Sequence, residues 1–333
     1  MKAVLMTNTG TPDVLKFQEV STPQIETDTQ VLVKLYAAGV NPIDTKLRKR
    51  GTLYPEQMPA ILGCDGAGVI TGIGNQVKNF KVGDQVYFCY GGLGAKPGNY
   101  AEYIVVEENF LSHKPNNLSF VEAAVVPLIL ITAWESLYDR GRLEPGRKVL
   151  IHAGSGGVGH IAIQLAKLKG AEVCTTVSTP EKADFVKSLG ADHVILYREN
   201  DFVKSVLDWT DGLGVDLAFD TVGGDLFTQT FSVVQMYGDL VTILQPDANT
   251  NWTVARNRNL RISLELMLTP LLQSNLVEFQ KHQAQILHQG ARLIDEGKLK
   301  VHLNQTFPLS EAKSAHELLE KGGMIGKIGL LIS

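Results

Sequence analysis

Two rhythms of apolar and polar positions divide this chain. Over its first third, apolar residues alternate with polar ones in "QVLVKLYAAGV", "DQVYFCY" and "AEYIVV", and "GAGVITGIG" mixes glycine with β-branched residues. A period of two over short runs predicts half-buried strands. Pro42, Gly51, Pro55, Pro59, Gly83 and Gly98 punctuate them, so a barrel-like, partly antiparallel domain is expected. "LSFVEAAVVPLILITAWESL" then reads as one buried helical segment, with Ser119 as N-cap and Glu122 three residues on. From Arg147 the rhythm changes. "KVLIHA", "AEVCTTV", "HVILY", "VDLAFD" and "DLVTIL" are short apolar strands, and stretches such as "PEKADFVKSLGA" between them carry helical spacing. Strand and helix alternating at this length predict an α/β, doubly wound parallel sheet covered on both faces. "LRISLEL" offers a sixth strand and Val277 to Glu296 a helix. The β-like text of "KVHLNQTFPL" and "GKIGLLIS" is expected to rejoin the first domain.

Composition narrows the function classes. A chain of 333 residues favours two domains. The 31 basic and 35 acidic side chains leave a net charge of −4 with no long run of either sign, which gives no footprint for nucleic acid or an anionic membrane. The N-terminus lacks a signal-peptide pattern, and the most apolar window, Ala123 to Trp134, contains a proline and is too short to span a bilayer. Cys64, Cys89 and Cys174 lie far apart and form no CxxC pair, so a cytoplasmic location is expected.

The segment Gly154-Ser155-Gly156-Gly157-Val158-Gly159 fits GxGxxG, directly after a strand and opening a helix. In that setting Gly154 is expected to permit the tight turn, Gly156 the approach of a pyrophosphate, and Gly159 close helix–sheet packing. Exposed N–H groups and the helix dipole favour the phosphates. Val158, Ile161, Ala162, Leu165 and Ala166 share one face of that helix. An NAD site places a carboxylate about 20 residues past the first glycine. Here the position falls in Cys174-Thr175-Thr176-Val177-Ser178, which has none. Ser178 can donate to a 2′-phosphate and Lys182 follows as a cation, so NADPH is the expected cofactor.

These residues, with "MKAVLM", "AAGVNPIDTKLRKRG", "LGCDGAGVITGIG", "VGDQVY", "LGADHVILYRENDF" and "GKIGLLI", resemble the medium-chain dehydrogenase/reductase superfamily over nearly the whole chain, and within it the zinc-independent quinone oxidoreductase branch. The resemblance implies a GroES-like, mostly β catalytic domain, here residues 1–121 and 266–333, and a Rossmann dinucleotide-binding domain, residues 122–265. It implies NADPH in the cleft between them and a homodimer joined through the Rossmann sheet edge, at "LRISLEL". Zinc-dependent members carry metal ligands where this chain has Asn41, Cys64 and Leu128. Leucine cannot bind zinc and an amide is a poor ligand, so no metal is expected.

Without a Lewis acid to hold an alkoxide, the chemistry left is hydride delivery to an acceptor that is already electrophilic, a quinone or an α,β-unsaturated carbonyl. By the resemblance, Asn41 lies near the nicotinamide and acceptor with its amide available to an oxygen, and Tyr54 lines the substrate side. Asp44 orients Asn41 or its loop. Read as plain text, "NPID" is a turn and Tyr54 a half-buried aromatic. Thr132 matches the threonine beside the nicotinamide and Tyr197 the tyrosine over the adenosine end. Thr221, Val222 and Leu244 fall at strand C-termini, where open α/β sheets bind ligands. Lys327 matches a terminal basic position near the cofactor, or is a solvated strand residue. His152 and His160 read as structural. Quinone reduction is the leading reading, an enone or alkenal double-bond reductase its neighbour, and a non-catalytic NADPH-binding protein the rival of another class.

Overall fold

The computed structural model describes residues 1–333. They form two compact units, Met1–Leu128 with Leu268–Gly297 and Val301–Ser333, and Ile129–Met267 with Lys298–Lys300.

The first unit opens with β1 (Lys2–Met6), β2 (Leu15–Glu19) and the long β3 (Gln30–Val40). The chain then turns into α1 (Pro42–Arg50), where the sequence suggested a turn. Asn41 and Pro42 serve as N-cap and first helical residue: proline's fixed φ suits that position and its missing N–H costs nothing there. β4 (Ala60–Ile61), β5 (Asp65–Ile73), β6 (Gln85–Cys89), β7 (Tyr103–Glu107) and β8 (Ser112–His113) follow. α2 (Phe120–Ala124) starts on the Ser119–Glu122 capping box, as the spacing predicted. The apolar segment is not one helix, however. α2 ends at Val125, and α3 (Pro127–Trp134) restarts on Pro127, whose ring and missing N–H break the ladder. A π-helical turn, Glu135–Arg140, continues it.

The second unit is built on β9 (Lys148–Ile151), α4 (Gly157–Leu168), β10 (Glu172–Val177), α5 (Pro180–Ser188), β11 (His193–Leu196), α6 (Phe202–Trp209), β12 (Val215–Asp220), α7 (Asp225–Thr230), β13 (Val234–Thr242), α8 (Thr253–Asn257) and β14 (Arg261–Leu264). All pairings are parallel and the order is β11-β10-β9-β12-β13-β14, or 3-2-1-4-5-6 counted along the unit. That is the doubly wound order, reversing direction between β9 and β12. Leu150, Cys174, Ile195 and Ala218 of the sheet pack with Phe202, Val206, Phe227 and Phe231 in one buried cluster. The opposite side of the expected apolar face of α4 is not open to water: His160, Ile163 and Gln164 are buried as well.

The chain returns to the first unit through α9 (Thr269–Leu272) and α10 (Val277–Asp295), then β15 (Leu303–Pro308), α11 (Ala312–Lys321) and β16 (Lys327–Leu331). β16 pairs antiparallel with β3, and the sheet runs β15-β16-β3-β5-β6-β8 with β7 also on β3. The last strands therefore do rejoin the first sheet. α11, between them, falls in a stretch for which no element was expected; its buried residues Ala312, Ala315 and His316 recur at helical spacing. No helix is long and apolar enough to cross a membrane.

Candidate active site

The glycine loop stands at the C-terminal end of β9, beside the reversal of the sheet. Its tight turn differs from the expectation in one respect. The left-handed residue is Ala153, at φ 52°, and not Gly154. Gly154 is required for space: a Cβ there would lie 2.1 Å from Thr175 Oγ1 and 2.9 Å from Ile163 Cδ1. A Cβ on Gly159 would sit 2.4 Å from the Ala153 carbonyl oxygen, so this glycine lets α4 start directly over the strand end. Gly156 is the N-cap of α4, and the first-turn amides of Gly157, Val158 and Gly159 have no acceptor within the helix. Ser155 is buried in the loop.

Neighbouring side chains hold this loop; sequence reasoning passed over the threonines among them, while His152 and His160 are structural as expected. Thr176 Oγ1 accepts the Ala153 N–H at 3.1 Å, and Thr175 Oγ1 donates to the Ile151 carbonyl at 2.7 Å. His152 lies between Thr176 Oγ1 (3.2 Å) and Thr230 Oγ1 (2.9 Å). Burial lowers its pKa to about 4, so it is neutral and structural. His160, with Nδ1 3.0 Å from the Gly156 carbonyl, also serves the helix start.

The remaining expected cofactor residues of this unit line the same strand ends. Ser178 follows β10, and Lys182 Nζ donates to Ser178 Oγ at 3.2 Å, so hydroxyl and ammonium are already paired. Thr179, the N-cap of α5, fixes that turn by accepting the Lys182 N–H. Tyr197 follows β11 and is half exposed. Thr221 Oγ1, after β12, donates to the His152 carbonyl at 2.9 Å. Asp220 Oδ1 accepts the N–H groups of Val222 and Gly223, both at 2.9 Å, while its Oδ2 accepts from Thr242 Oγ1 at 2.8 Å. Thr242 in turn holds the Leu244 N–H at 3.1 Å. The signal for Asp220 was a carboxylate ending the apolar run "VDLAF". Thr132 is buried in α3.

In the first unit, strand register builds a second cluster. Ile328 lies opposite Val40, so Lys327 comes against Asn41; Gly39 lies opposite Asp65. Lys327 is buried, not solvated as a strand residue would ordinarily be. Its Nζ donates to the Val40 carbonyl at 2.8 Å and to Asn41 Oδ1. Asn41 Nδ2 donates to Asp65 Oδ2 at 2.8 Å, and Asp65 Oδ1 accepts the Leu128 N–H at 2.8 Å. Asp44 Oδ2 accepts the Asn41 backbone N–H at 2.8 Å and the Tyr100 hydroxyl at 3.1 Å. Asp44 thus caps the helix and orients Asn41. Burial raises its pKa to about 7, against the pull of those hydrogen bonds. Tyr54 lies on the loop after α1, half-buried, as the N-cap of a short 3-10 turn at Pro55–Gln57.

The donor set does not fit a zinc ion. Leucine at 128 has no side-chain donor atom, Asn41 is engaged at both ends of its amide, and Cys64 is a lone buried thiol at this position. No group of three His, Cys, Asp or Glu side chains is placed to hold a metal.

Comparison with known proteins agrees with this geometry. Residues 27–116 match the alcohol dehydrogenase GroES-like domain, and residues 189–330 the zinc-binding dehydrogenase family. A quinone oxidoreductase of Pseudomonas aeruginosa is 34% identical over 97% of both chains. The chain belongs to the medium-chain dehydrogenase/reductase superfamily, in its quinone oxidoreductase branch. The name of the matched dehydrogenase family mentions zinc, but this member has an amide at position 41 and a leucine at 128, and Cys64 alone cannot complete a zinc site. The quinone oxidoreductase of Escherichia coli, solved in complex with NADPH, superposes with a TM-score of 0.87 at 30% identity, covering 99% of this chain and 100% of that one. A 2-methylene-furan-3-one reductase of Solanum lycopersicum is 41% identical over 235 residues, which is 67% of this chain and 57% of that protein. As a member of this superfamily, the protein is an oxidoreductase.

Proposed function

We propose that the protein reduces quinones by hydride transfer from NADPH, without a metal. The observation that carries the cofactor is the Ser178–Lys182 pair at 3.2 Å, standing where an NAD site needs a carboxylate. A hydroxyl and an ammonium stabilise a 2′-phosphate dianion that a carboxylate would repel. The Escherichia coli relative's complex with NADPH supports the same reading.

In this reading the Gly154–Gly159 loop and the first-turn amides of α4 hold the pyrophosphate. Ser178 and Lys182 hold the 2′-phosphate, and Tyr197 covers the adenosine end. Thr221, Val222, Leu244 and Thr132 shape the nicotinamide side. When bound, NADPH supplies the hydride. The chain's own part is to orient the planar acceptor, through Tyr54, and to meet the charge that develops on its oxygen, through Asn41. Quinones need nothing more, because their carbonyls are electrophilic without a Lewis acid. Double-bond reduction of enones is a second reading, supported by the similarity to the 2-methylene-furan-3-one reductase of Solanum lycopersicum. The proposal includes a homodimer through the edge strand β14, and a cytoplasmic location consistent with three free, buried thiols.

The test is oxidation of NADPH by purified, chelator-treated protein offered a quinone, with an unsaturated aldehyde and NADH run alongside. Turnover of quinone with NADPH is the expected result. Activity confined to the aldehyde would transfer the assignment to double-bond reduction, and NADPH binding without turnover of either would sink both.

A further inference from the structure

Asn41 opens α1 as its N-cap, with Asp44 accepting its backbone N–H at 2.8 Å, and its fully buried carboxamide has two further partners. Its oxygen accepts from Lys327 and its nitrogen donates to Asp65. An ammonium only donates and a carboxylate only accepts, so the amide has one possible orientation. The inventory leaves one proton over. Nδ2 carries two, and Asp65 takes the single hydrogen bond it makes. A buried amide proton without an acceptor is costly unless a ligand completes it. The ammonium on Oδ1 draws density from the amide and strengthens that N–H as a donor.

We infer that Lys327 and Asp65 are positioning residues that lock and polarise the Asn41 amide as a donor to an oxyanion, the enolate or phenolate oxygen formed as the acceptor is reduced. The inference rests on the hydride-transfer reading. As NADPH gives up the hydride of its nicotinamide C–H bond and is oxidised to NADP+, a new C–H bond forms on the conjugated acceptor, the displaced π pair moves through the conjugated system onto the carbonyl oxygen, and that oxygen takes a proton from water afterwards. Asn41 meets the charge between those events. Lys327 acts through Asn41, so its removal affects kcat and leaves NADPH affinity in place.

The decisive probe is 4-nitrophenol, whose phenolate absorbs at longer wavelength than the phenol and mimics the charged acceptor oxygen. Titrated on the NADP+-loaded protein, wild type is expected to lower the bound phenol's pKa by about one unit, a tenfold preference for the anion. K327M alone leaves Asp65 unpaired and endangers folding, so K327M/D65N, which removes the charge pair together, is the informative variant. It is expected to fold, to keep its NADPH affinity, and to lose both the phenolate preference and about tenfold in kcat, whereas K327R recovers part of each. A double variant with wild-type phenolate preference and kcat would overturn the inference. So would wild type that binds phenol and phenolate alike. Wild type that turns over no acceptor while still selecting the phenolate would instead overturn the hydride-transfer reading and leave the anion site standing.

Discussion

At Ser178 one side chain decides which dinucleotide the second unit prefers. Its hydroxyl is held 3.2 Å from the Lys182 ammonium. S178D places a carboxylate against the 2′-phosphate and pairs off the lysine that would have met it. NADPH KM is expected to rise about tenfold or more, with NADH gaining ground in relative kcat/KM; unchanged preference would refute the assignment of this pocket. His152 carries a prediction about pH. Its folded pKa, about 4, lies below the ordinary 6.5, so its contribution to stability is present above pH 6.5 and lost as pH falls through 4. The shift corresponds to about 3 kcal/mol. Asp44 has the opposite sign: raised from 3.8 to about 7, its contribution is present below pH 3.8 and lost as pH rises through 7. H152Q is expected to shrink the drop in Tm between pH 6.5 and 4, and D44N to flatten the decline toward pH 7. Thermal unfolding at stepped pH reads both.

Among the elements, the strand–loop–helix of β9 and α4 was the most legible, because glycine spacing, an apolar strand and an apolar helix coincide in "KVLIHAGSGGVGHIAIQLA". Its detail was not. The left-handed position falls on Ala153, and Gly154 is small because Thr175 Oγ1 occupies the space a Cβ would need. G159A tests the loop as a unit. The new methyl would meet the Ala153 carbonyl at 2.4 Å, a backbone atom with no freedom to yield, so α4 must lift from the strand end. A loss of NADPH affinity of at least tenfold is expected, by quenching or calorimetry, with the fold of the first unit retained. α1 escaped notice because "NPID" is also turn text, and whether the chain continues helically depends on what its buried Leu47 and Arg48 pack against. The break at Pro127 was present in the sequence and was outweighed by the apolar run around it.

For the molecule as a whole, the first unit closes only when residues from opposite ends of the chain meet. β16 completes the sheet beside β3, and the buried Arg48 of α1 pairs with Glu320 of α11, 272 residues away. The proposed dimer belongs to this scale. β14 ends the parallel sheet with an unpaired edge, and Leu264 and Leu266 are 60% and 54% exposed there. An apolar edge strand is an aggregation hazard unless another chain covers it. L264E is expected to move wild-type dimer toward monomer in sedimentation with little loss of monomer stability, since the side chain is mostly exposed in the subunit. A monomeric wild type would refute the dimer.

Local pattern was enough to determine the α/β alternation, the glycine loop and the absence of a carboxylate after β10. Each is a property of neighbouring residues or of residue type, and needs no knowledge of what lies across the sheet. Only the tertiary structure decided that Lys327 is a buried partner of Asn41, that Asp65 holds the other end of the amide, and that Asp220 and Thr242 tie the strand ends. Those contacts join residues 22 to 286 apart. Their meeting depends on strand register, and a pairing shifted by one residue would have turned the same side chains to the opposite face.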